Sequence, residues 1–259
     1  MGVVGSVASL WRYPVKSMRG EQLTQAFVGF AGVYGDRLFA FTSPARPKGF
    51  PYLTGRERRE MILYQPRFRH PERSGAPPNL AEAEAMPPGV TPTVADPEDL
   101  ALDIDTGSGE TFAVDAPALR ELLEIGEDLT LVRSERALTD CRPVSLISLQ
   151  TAQQLGDELG IPLDPRRFRA NIVADLAGEP GFSEDAYLKK KLRIGSKLIL
   201  TVVARDPRCA MISLDPDTAE PDPAVLRQVA QEHEGDAGVY GAVLVEGTVR
   251  PGDKIELLD

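Results

Sequence analysis

Short strand-like segments separated by turn residues run through almost the whole of this 259-residue chain. Segments such as 3–10, 37–42 and 197–204 are apolar and β-branched, and Gly, Pro and Asp lie at their ends. This pattern is typical of short strands joined by tight turns. The sequence lacks both the regular strand–helix alternation of a parallel α/β sheet and the glycine fingerprint of a dinucleotide-binding fold. We therefore expect a mainly β fold of small barrels or curled sheets.

Only a few short helices interrupt the strand pattern. Residues 117–123 predict one helix, with Asp115 as its cap. Residues 151–159 predict an amphipathic helix that ends at Gly160, and residues 224–231 predict a third. Residues 61–64 are apolar and predict a further strand. The proline-rich stretch 70–97 predicts a long loop.

Composition excludes several classes of function. The chain has 29 Lys+Arg against 39 Asp+Glu, a formal net charge of −10, which argues against binding to a nucleic-acid backbone. No apolar run approaches the ~20 residues of a membrane helix, and the N-terminus lacks the basic region of a signal peptide. The two cysteines do not make a disulfide framework. These features predict a protein without nucleic-acid or membrane partners in a reducing cytoplasm.

Cys209 has the most informative position of the two thiols. It follows a predicted strand and lies next to Arg208, and an Asp-Pro-Asp-Thr turn (215–218) comes six residues later. A thiol beside a fixed positive charge can be a reactive thiolate, and thiolates are soft metal ligands. From the residues alone, Cys209 is a metal ligand, a nucleophile or an inert core residue.

Four basic clusters also lie beside predicted turns. A single arginine at a strand end is most often a solvated surface charge, but a set of cations together can bind phosphate or carboxylate. The combination therefore predicts a site for an anion. The clusters are Tyr13-Pro14-Val15-Lys16-Ser17-Met18, Gly35-Asp36-Arg37, Asp140-Cys141-Arg142-Pro143 and Arg166-Arg167-Phe168-Arg169-Ala170-Asn171.

Several of these motifs, in this order, resemble a known family. The segments 11–18 and 35–37, Phe168-Arg169-Ala170-Asn171-Ile172-Val173, and Arg208-Cys209 followed by Asp-Pro-Asp-Thr are similar to the MOSC proteins. The resemblance is to the branch with an N-terminal β-barrel domain, which includes the mitochondrial amidoxime reducing component and its bacterial relatives. It implies an N-terminal MOSC-type β-barrel domain (residues 1–115) packed on a MOSC β-barrel-like domain (residues 116–259) that carries the metal-ligand cysteine.

The resemblance also implies a cofactor and a set of site residues. The cofactor is the molybdenum cofactor, Mo-molybdopterin, a pterin dithiolene with a terminal phosphate. Cys209 would be the metal ligand and a catalytic residue, and Asp140 matches a family aspartate that we assign as catalytic. The residues that would bind phosphate and pterin are Lys16, Ser17, Arg37, Arg169, Asn171 and Arg208.

Three functions remain open at this stage. The first is a molybdenum-cofactor oxidoreductase that reduces N-hydroxylated or N-oxide small molecules. It would need a separate ferredoxin- or flavoprotein-type electron donor, since the chain has no iron–sulfur or flavin motif. The second is a sulfur carrier or transferase with a persulfide on Cys209, and the third is a cofactor-delivery protein without turnover.

The chain departs from the family pattern near the expected metal. Asp206 stands three residues before Cys209, where the amidoxime reductase branch often has a further cysteine. Cys141-Arg142 replaces a pair of hydroxyl residues. For Cys141 we expect a buried, inert thiol, and the alternative is a second redox-active thiol near Cys209.

Overall fold

The computed structural model describes residues 2–87, 89–176 and 178–258, and in them β-strands dominate. This confirms the predicted mainly β fold. In chain order the strands are β1 (Gly2–Arg12), β2 (Glu21–Leu23), β3 (Ala26–Gly29), β4 (Gly32–Val33), β5 (Phe39–Thr42), β6 (Gln65–Phe68), β7 (Leu102–Asp105), β8 (Thr111–Ala113), β9 (Thr130–Arg133), β10 (Val144–Ser148), β11 (Ile172–Asp175), β12 (Lys191–Ile194), β13 (Leu198–Pro207), β14 (Asp236–Val245), β15 (Gly247–Val249) and β16 (Lys254–Leu258).

Seven of these strands close into a barrel in the order β11, β10, β14, β13, β12, β16 and β1. The antiparallel pairing of β1 with β11 completes the ring. Ser6 of β1 pairs with Lys254 on one edge and with Asp175 on the other. A Cβ at the neighbouring Gly5 would lie 2.3 Å from the carbonyl oxygen of Asp175, so only glycine permits this close approach.

The N-terminal and C-terminal parts of the chain exchange strands. β1 comes from the N-terminal part but completes the barrel of C-terminal strands, while β15 from the C-terminal part pairs with β3. The N-terminal strands β6, β7 and β8 form a separate sheet, and β5 pairs with β9 from the C-terminal part. The division between residues 115 and 116 stays a prediction, and its outer ends, residues 1 and 259, lie outside the described residues.

Four α-helices flank the sheets in the described part of the chain: α1 (Leu80–Glu84), α2 (Pro117–Leu123), α3 (Leu149–Leu159) and α4 (Pro223–Glu232). α3 ends at Gly160, which has φ 68°, as predicted. Asp115 does not cap α2, because Ala116 is the N-cap residue and no side chain bonds to the helix start. None of the described helices has the length and apolar character that a membrane crossing requires.

The predicted strand at residues 61–64 is wrong. Residues Arg59–Leu63 form a 3₁₀ helix, closed by the bonds from Met61 N–H to Arg58 O and from Tyr64 N–H to Met61 O. Met61 and Tyr64 are buried in the core of the N-terminal sheets. Short apolar runs occur both in buried turns and in buried strands, and their hydrophobic periodicity does not distinguish the two structures.

Candidate functional site

The Tyr13–Met18 turn is held against the Gly35-Asp36-Arg37 turn by hydrogen bonds of the backbone and of the Asp36 side chain. Tyr13 N–H donates to Asp36 Oδ1 at 2.7 Å, and Arg37 N–H donates to Tyr13 O at 2.7 Å. Lys16 N–H donates to Phe39 O of β5 at 2.8 Å. Two motifs that are twenty residues apart in the sequence thus become one rigid unit.

Three of the predicted cofactor-binding residues have left-handed backbone conformations. The φ angles are 67° for Ser17, 46° for Arg37 and 53° for Arg169. None of them is glycine, so each conformation has an energetic cost that the surrounding structure must offset. Such strain concentrates at binding sites, where a side chain must point in one direction.

One cavity brings together seven of the eight residues that the sequence predicts for the site. It also receives residues from the loop before β6 and from β14, such as Arg56 and Tyr240, that lie far away in the chain. Six of the seven can carry a charge, so the cavity is rich in ionisable side chains. The seven residues are Lys16, Ser17, Arg37, Asp140, Arg169, Arg208 and Cys209.

Asn171 does not line this cavity. Its side chain is 1% exposed, and its Oδ1 accepts a bond from the backbone N–H of Ser145 while its Nδ2 donates to Trp11 O. It therefore joins β1 to β10 beneath the site. The structure gives Asn171 a role in positioning the strands, and its predicted contact with a cofactor stays a prediction.

Lys16 and Asp140 form an ion pair at the cavity wall. Lys16 is 6% exposed, and its Nζ also donates to Leu138 O at 2.9 Å. Burial lowers the pKa of Lys16, and the carboxylate of Asp140 opposes that shift. The Nζ lies 4.7 Å from the centre of the Tyr52 ring. Asp140 is half exposed, so it holds the lysine while remaining open to the cavity.

Arg37 and Arg169 stack on the ring of Tyr13, with guanidinium carbons 4.8 Å and 4.3 Å from the ring centre. Arg37 is paired with the buried Asp36. Arg169 has no acidic partner among the described residues, and its side chain donates only to Met18 O at 2.7 Å. Burial lowers the pKa of Arg169 to about 10, and the charge of Arg37 contributes to that shift. An anion bound beside Arg169 would stabilise its charged form and raise its pKa towards the usual value.

Tyr13 itself is 3% exposed, and its hydroxyl has no partner among the described residues. Burial raises its pKa to about 12, so the ring remains a neutral platform for the two arginines. The sequence places Tyr13 in a turn motif but does not predict this platform. The signal is the aromatic residue immediately before Pro14, within reach of two later arginines.

Arg208 differs from Arg169 because its donors are already used. Its Nε donates to Ala237 O at 2.6 Å and one terminal nitrogen donates to Phe168 O at 2.9 Å. The other terminal nitrogen lies 2.8 Å from Oδ2 of Asp206. With a side chain that is 7% exposed, Arg208 joins β13, β14 and the 3₁₀ helix Pro165–Phe168. Although it lines the cavity, it acts first as a structural clamp.

Asp206 and Tyr240 are residues that the sequence did not assign to the site. Asp206 is 3% exposed and accepts a hydrogen bond from the hydroxyl of Tyr240, and both line the cavity. Burial raises the pKa of Asp206, while Arg208, Tyr240 and Arg37 favour its ionised form. Asp206 takes the place of a cysteine in the resembled branch, so the second thiol is replaced here by a buried acid that orients Arg208.

Cys209 lies at the end of β13 in extended backbone, just before the 3₁₀ helix Ala210–Ser213. It is half-buried in the cavity wall, so its thiol is reachable from the cavity. Cys141 is exposed and does not line the cavity, so the expectation of a buried thiol is wrong. Among the described residues, no group of three or more His, Cys, Asp or Glu side chains could hold a metal ion.

The Asp-Pro-Asp-Thr segment is a capped turn, as its composition suggests. Asp215 Oδ1 accepts bonds from the backbone N–H groups of Asp217 and Thr218, both at 3.0 Å. Arg166 binds Asp217, and Arg167 lies 3.1 Å from Asp215. The turn therefore fixes the segment that carries Arg169 into the cavity.

Two known domain families match this chain. The MOSC domain family matches residues 133–256, and the MOSC N-terminal beta barrel domain family matches residues 4–76. The chain is a MOSC-domain protein with a MOSC N-terminal beta barrel domain. MOSC domains are associated with binding of the molybdenum cofactor.

A molybdenum cofactor sulfurase of Caenorhabditis briggsae is 36% identical over 90 residues, which is 35% of this MOSC protein. The match spans only 12% of the length of that sulfurase. The solved structure of the YuaD protein from Bacillus subtilis aligns over 98% of this chain and 94% of its own, with 14% identity and a TM-score of 0.49. YiiM from Geobacillus stearothermophilus aligns over 46% and 55%, with 19% identity and a TM-score of 0.37.

Proposed function

We propose that the cavity binds the molybdenum cofactor and that the protein reduces N-hydroxylated or N-oxide compounds with electrons from a separate protein. Arg169 is the observation that supports this most. It is a half-buried cation without an acidic partner in the described chain. Its backbone is left-handed, and its side chain lines the same cavity as Cys209. The residues present thus fit a phosphate-bearing pterin with a thiolate-accepting metal.

In this proposal each side chain has a separate task. Lys16, Ser17, Arg37 and Arg169 bind the phosphate and pterin through charge-assisted hydrogen bonds. Cys209 supplies the protein's sulfur ligand. The bound cofactor supplies the two-electron chemistry that removes oxygen from nitrogen. Asp140 lines the cavity, is half exposed beside Lys16, and exchanges protons with the substrate.

The test is turnover by the purified holoprotein with a reduced dye as the electron donor. We expect benzamidoxime-type compounds to be reduced to amidines, and Asp140→Asn to lower kcat about 100-fold while cofactor content is unchanged. A cofactor-loaded protein that reduces no N-hydroxylated or N-oxide compound would contradict the proposal. It would leave sulfur transfer and cofactor delivery as the remaining functions.

The second candidate is sulfur transfer through a persulfide on Cys209. The sulfurase match and the half-buried position of the thiol favour it. Labile sulfur, measured by cyanolysis on protein prepared without reductant, separates the two candidates. Stoichiometric labile sulfur that is lost in Cys209→Ser but kept in Cys141→Ser, with no bound molybdenum, would favour the carrier.

A further inference from the structure

An apolar groove lies beside the cavity, between the loop that carries Arg56 and helix α4. Its floor contains Leu214, Pro221, Pro223 and Leu226. The two prolines are exposed and Leu226 is half-buried, whereas Leu214 is buried at the base of the groove. An apolar surface of this kind, rimmed by polar side chains, is typical of a site where another protein binds.

Three arginines form the rim of this groove: Arg56, Arg59 and Arg227. All three are exposed. Within the described residues, Arg56 and Arg227 have no carboxylate at ion-pair distance. Arg59 has only long contacts, at 3.6 Å to Glu60 and 3.8 Å to Glu220. Although the chain has a net charge of −10, the described residues that line the groove include these three arginines and no acidic side chain.

The groove and the cavity share a wall. Arg56 lines both of them, and Ala210, which lines the groove, is the residue next to Cys209. A protein seated on the groove would therefore lie against the outer side of the segment that carries the proposed metal ligand. Electron donors must approach their acceptor closely, and this groove brings a partner to the residue next to Cys209.

We propose that this arginine-rimmed groove docks the electron donor, a small acidic redox protein with an apolar contact patch. The proposal rests on the proposed function. Each turnover breaks one N–O bond, consumes two electrons and two protons and releases water. A one-electron donor therefore docks and is oxidised twice per cycle. Opposite charges accelerate such encounters, and the apolar floor supplies contact area without long residence.

The probe is a plant-type [2Fe–2S] ferredoxin, kept reduced by its reductase, acting on the cofactor-loaded protein with a benzamidoxime. The double variant Arg59→Glu/Arg227→Glu should raise the KM for ferredoxin about tenfold or more at low salt. Dye-driven kcat should stay within about twofold, because neither residue lines the cavity. Added salt should weaken ferredoxin binding to the unmodified protein and shrink the difference.

The matched control is Arg67→Glu/Arg250→Glu, which makes the same change in net charge at exposed sites outside the groove. On helix α4, Ala230→Glu places a carboxylate in the groove, and Gln231→Glu places one beside it. We expect Ala230→Glu to weaken ferredoxin binding severalfold and Gln231→Glu to change it little.

Calorimetric titration with oxidised ferredoxin gives the same ranking without any turnover. Equal losses in the groove and control variants, or no binding of ferredoxin to the unmodified protein at low salt, would overturn the docking proposal. Absence of dye-driven reduction in the unmodified holoprotein would instead overturn the proposed function, and the titration would still decide where an acidic partner binds.

Discussion

Arg169 and Arg208 line the same cavity, but their surroundings are opposite. Arg208 has a buried carboxylate, Asp206, at 2.8 Å and donates to two backbone carbonyls. Arg169 has one carbonyl, an aromatic face and a second arginine nearby, and burial lowers its pKa to about 10. The charge of Arg208 is therefore neutralised within the protein, whereas the charge of Arg169 has no counter-ion among the described residues. Two residues of the same type differ in role, one a structural clamp and one a ligand-binding residue, because their surroundings differ.

The largest effect should come from removing the clamp. Arg208→Met leaves Asp206 buried without its cation and two carbonyls without a donor, which costs about 3–5 kcal/mol of unfolding free energy. Urea unfolding measures it. Arg208→Met/Asp206→Asn should recover part of the loss, since the buried charge is gone. A single variant as stable as the unmodified protein would remove the distinction between the two arginines.

Arg169→Met should have the opposite effects: little change in stability and a large loss of cofactor binding. The apo protein should keep its unfolding free energy to within about 1 kcal/mol, because the lost charge was disfavoured by burial. Cofactor retention after gel filtration should fall about tenfold or more, through the loss of a charge-assisted contact. Pterin fluorescence after oxidation measures retention. Unchanged retention together with a lower stability would show that Arg169 is a second clamp.

These two arginines also show how much of the fold and of the site could be predicted from the sequence. The order of motifs predicted the family, the mainly β fold and seven residues of one cavity, because each motif forms a local turn whose residue types carry its chemistry. It did not predict that Asp206 and Tyr240 meet, since β13 and β14 bring them together from 34 positions apart. Nor did it separate the 3₁₀ helix at Arg59–Leu63 from a strand, because the apolar pattern of the two is the same.

Tyr240→Phe tests a weaker contact of the same cluster, the one between Tyr240 and the carboxylate that holds Arg208. The hydroxyl of Tyr240 donates to Asp206, and its removal should cost about 1 kcal/mol. Thermal unfolding measures this cost. Cofactor retention should not change, because Arg169, Arg37 and Lys16 remain. A loss of cofactor without a loss of stability would place Tyr240 among the ligand-binding residues.

The smallest effect concerns the exposed pair outside the cavity. The bond to Arg166 holds the pKa of Asp217 below its usual range. A lowered pKa contributes stability that is present above the unfolded value, near pH 4, and is lost as pH falls through the folded value. Asp217→Asn should therefore lower stability by less than about 1 kcal/mol at neutral pH and flatten the acid limb below about pH 4. Urea unfolding at several pH values measures this, and an unchanged acid limb would mean that the pair is not formed in solution.

One measurement tests directly whether Cys209 is the metal ligand beside these cations. Molybdenum K-edge absorption of the holoprotein counts the sulfur atoms bound to the metal, and Cys141→Ala is the control. We expect Cys209→Ala to have one sulfur ligand fewer than the unmodified protein, or to lose the metal, and Cys141→Ala to be unchanged. Equal sulfur counts in the unmodified and Cys209→Ala proteins at full occupancy would contradict the assignment.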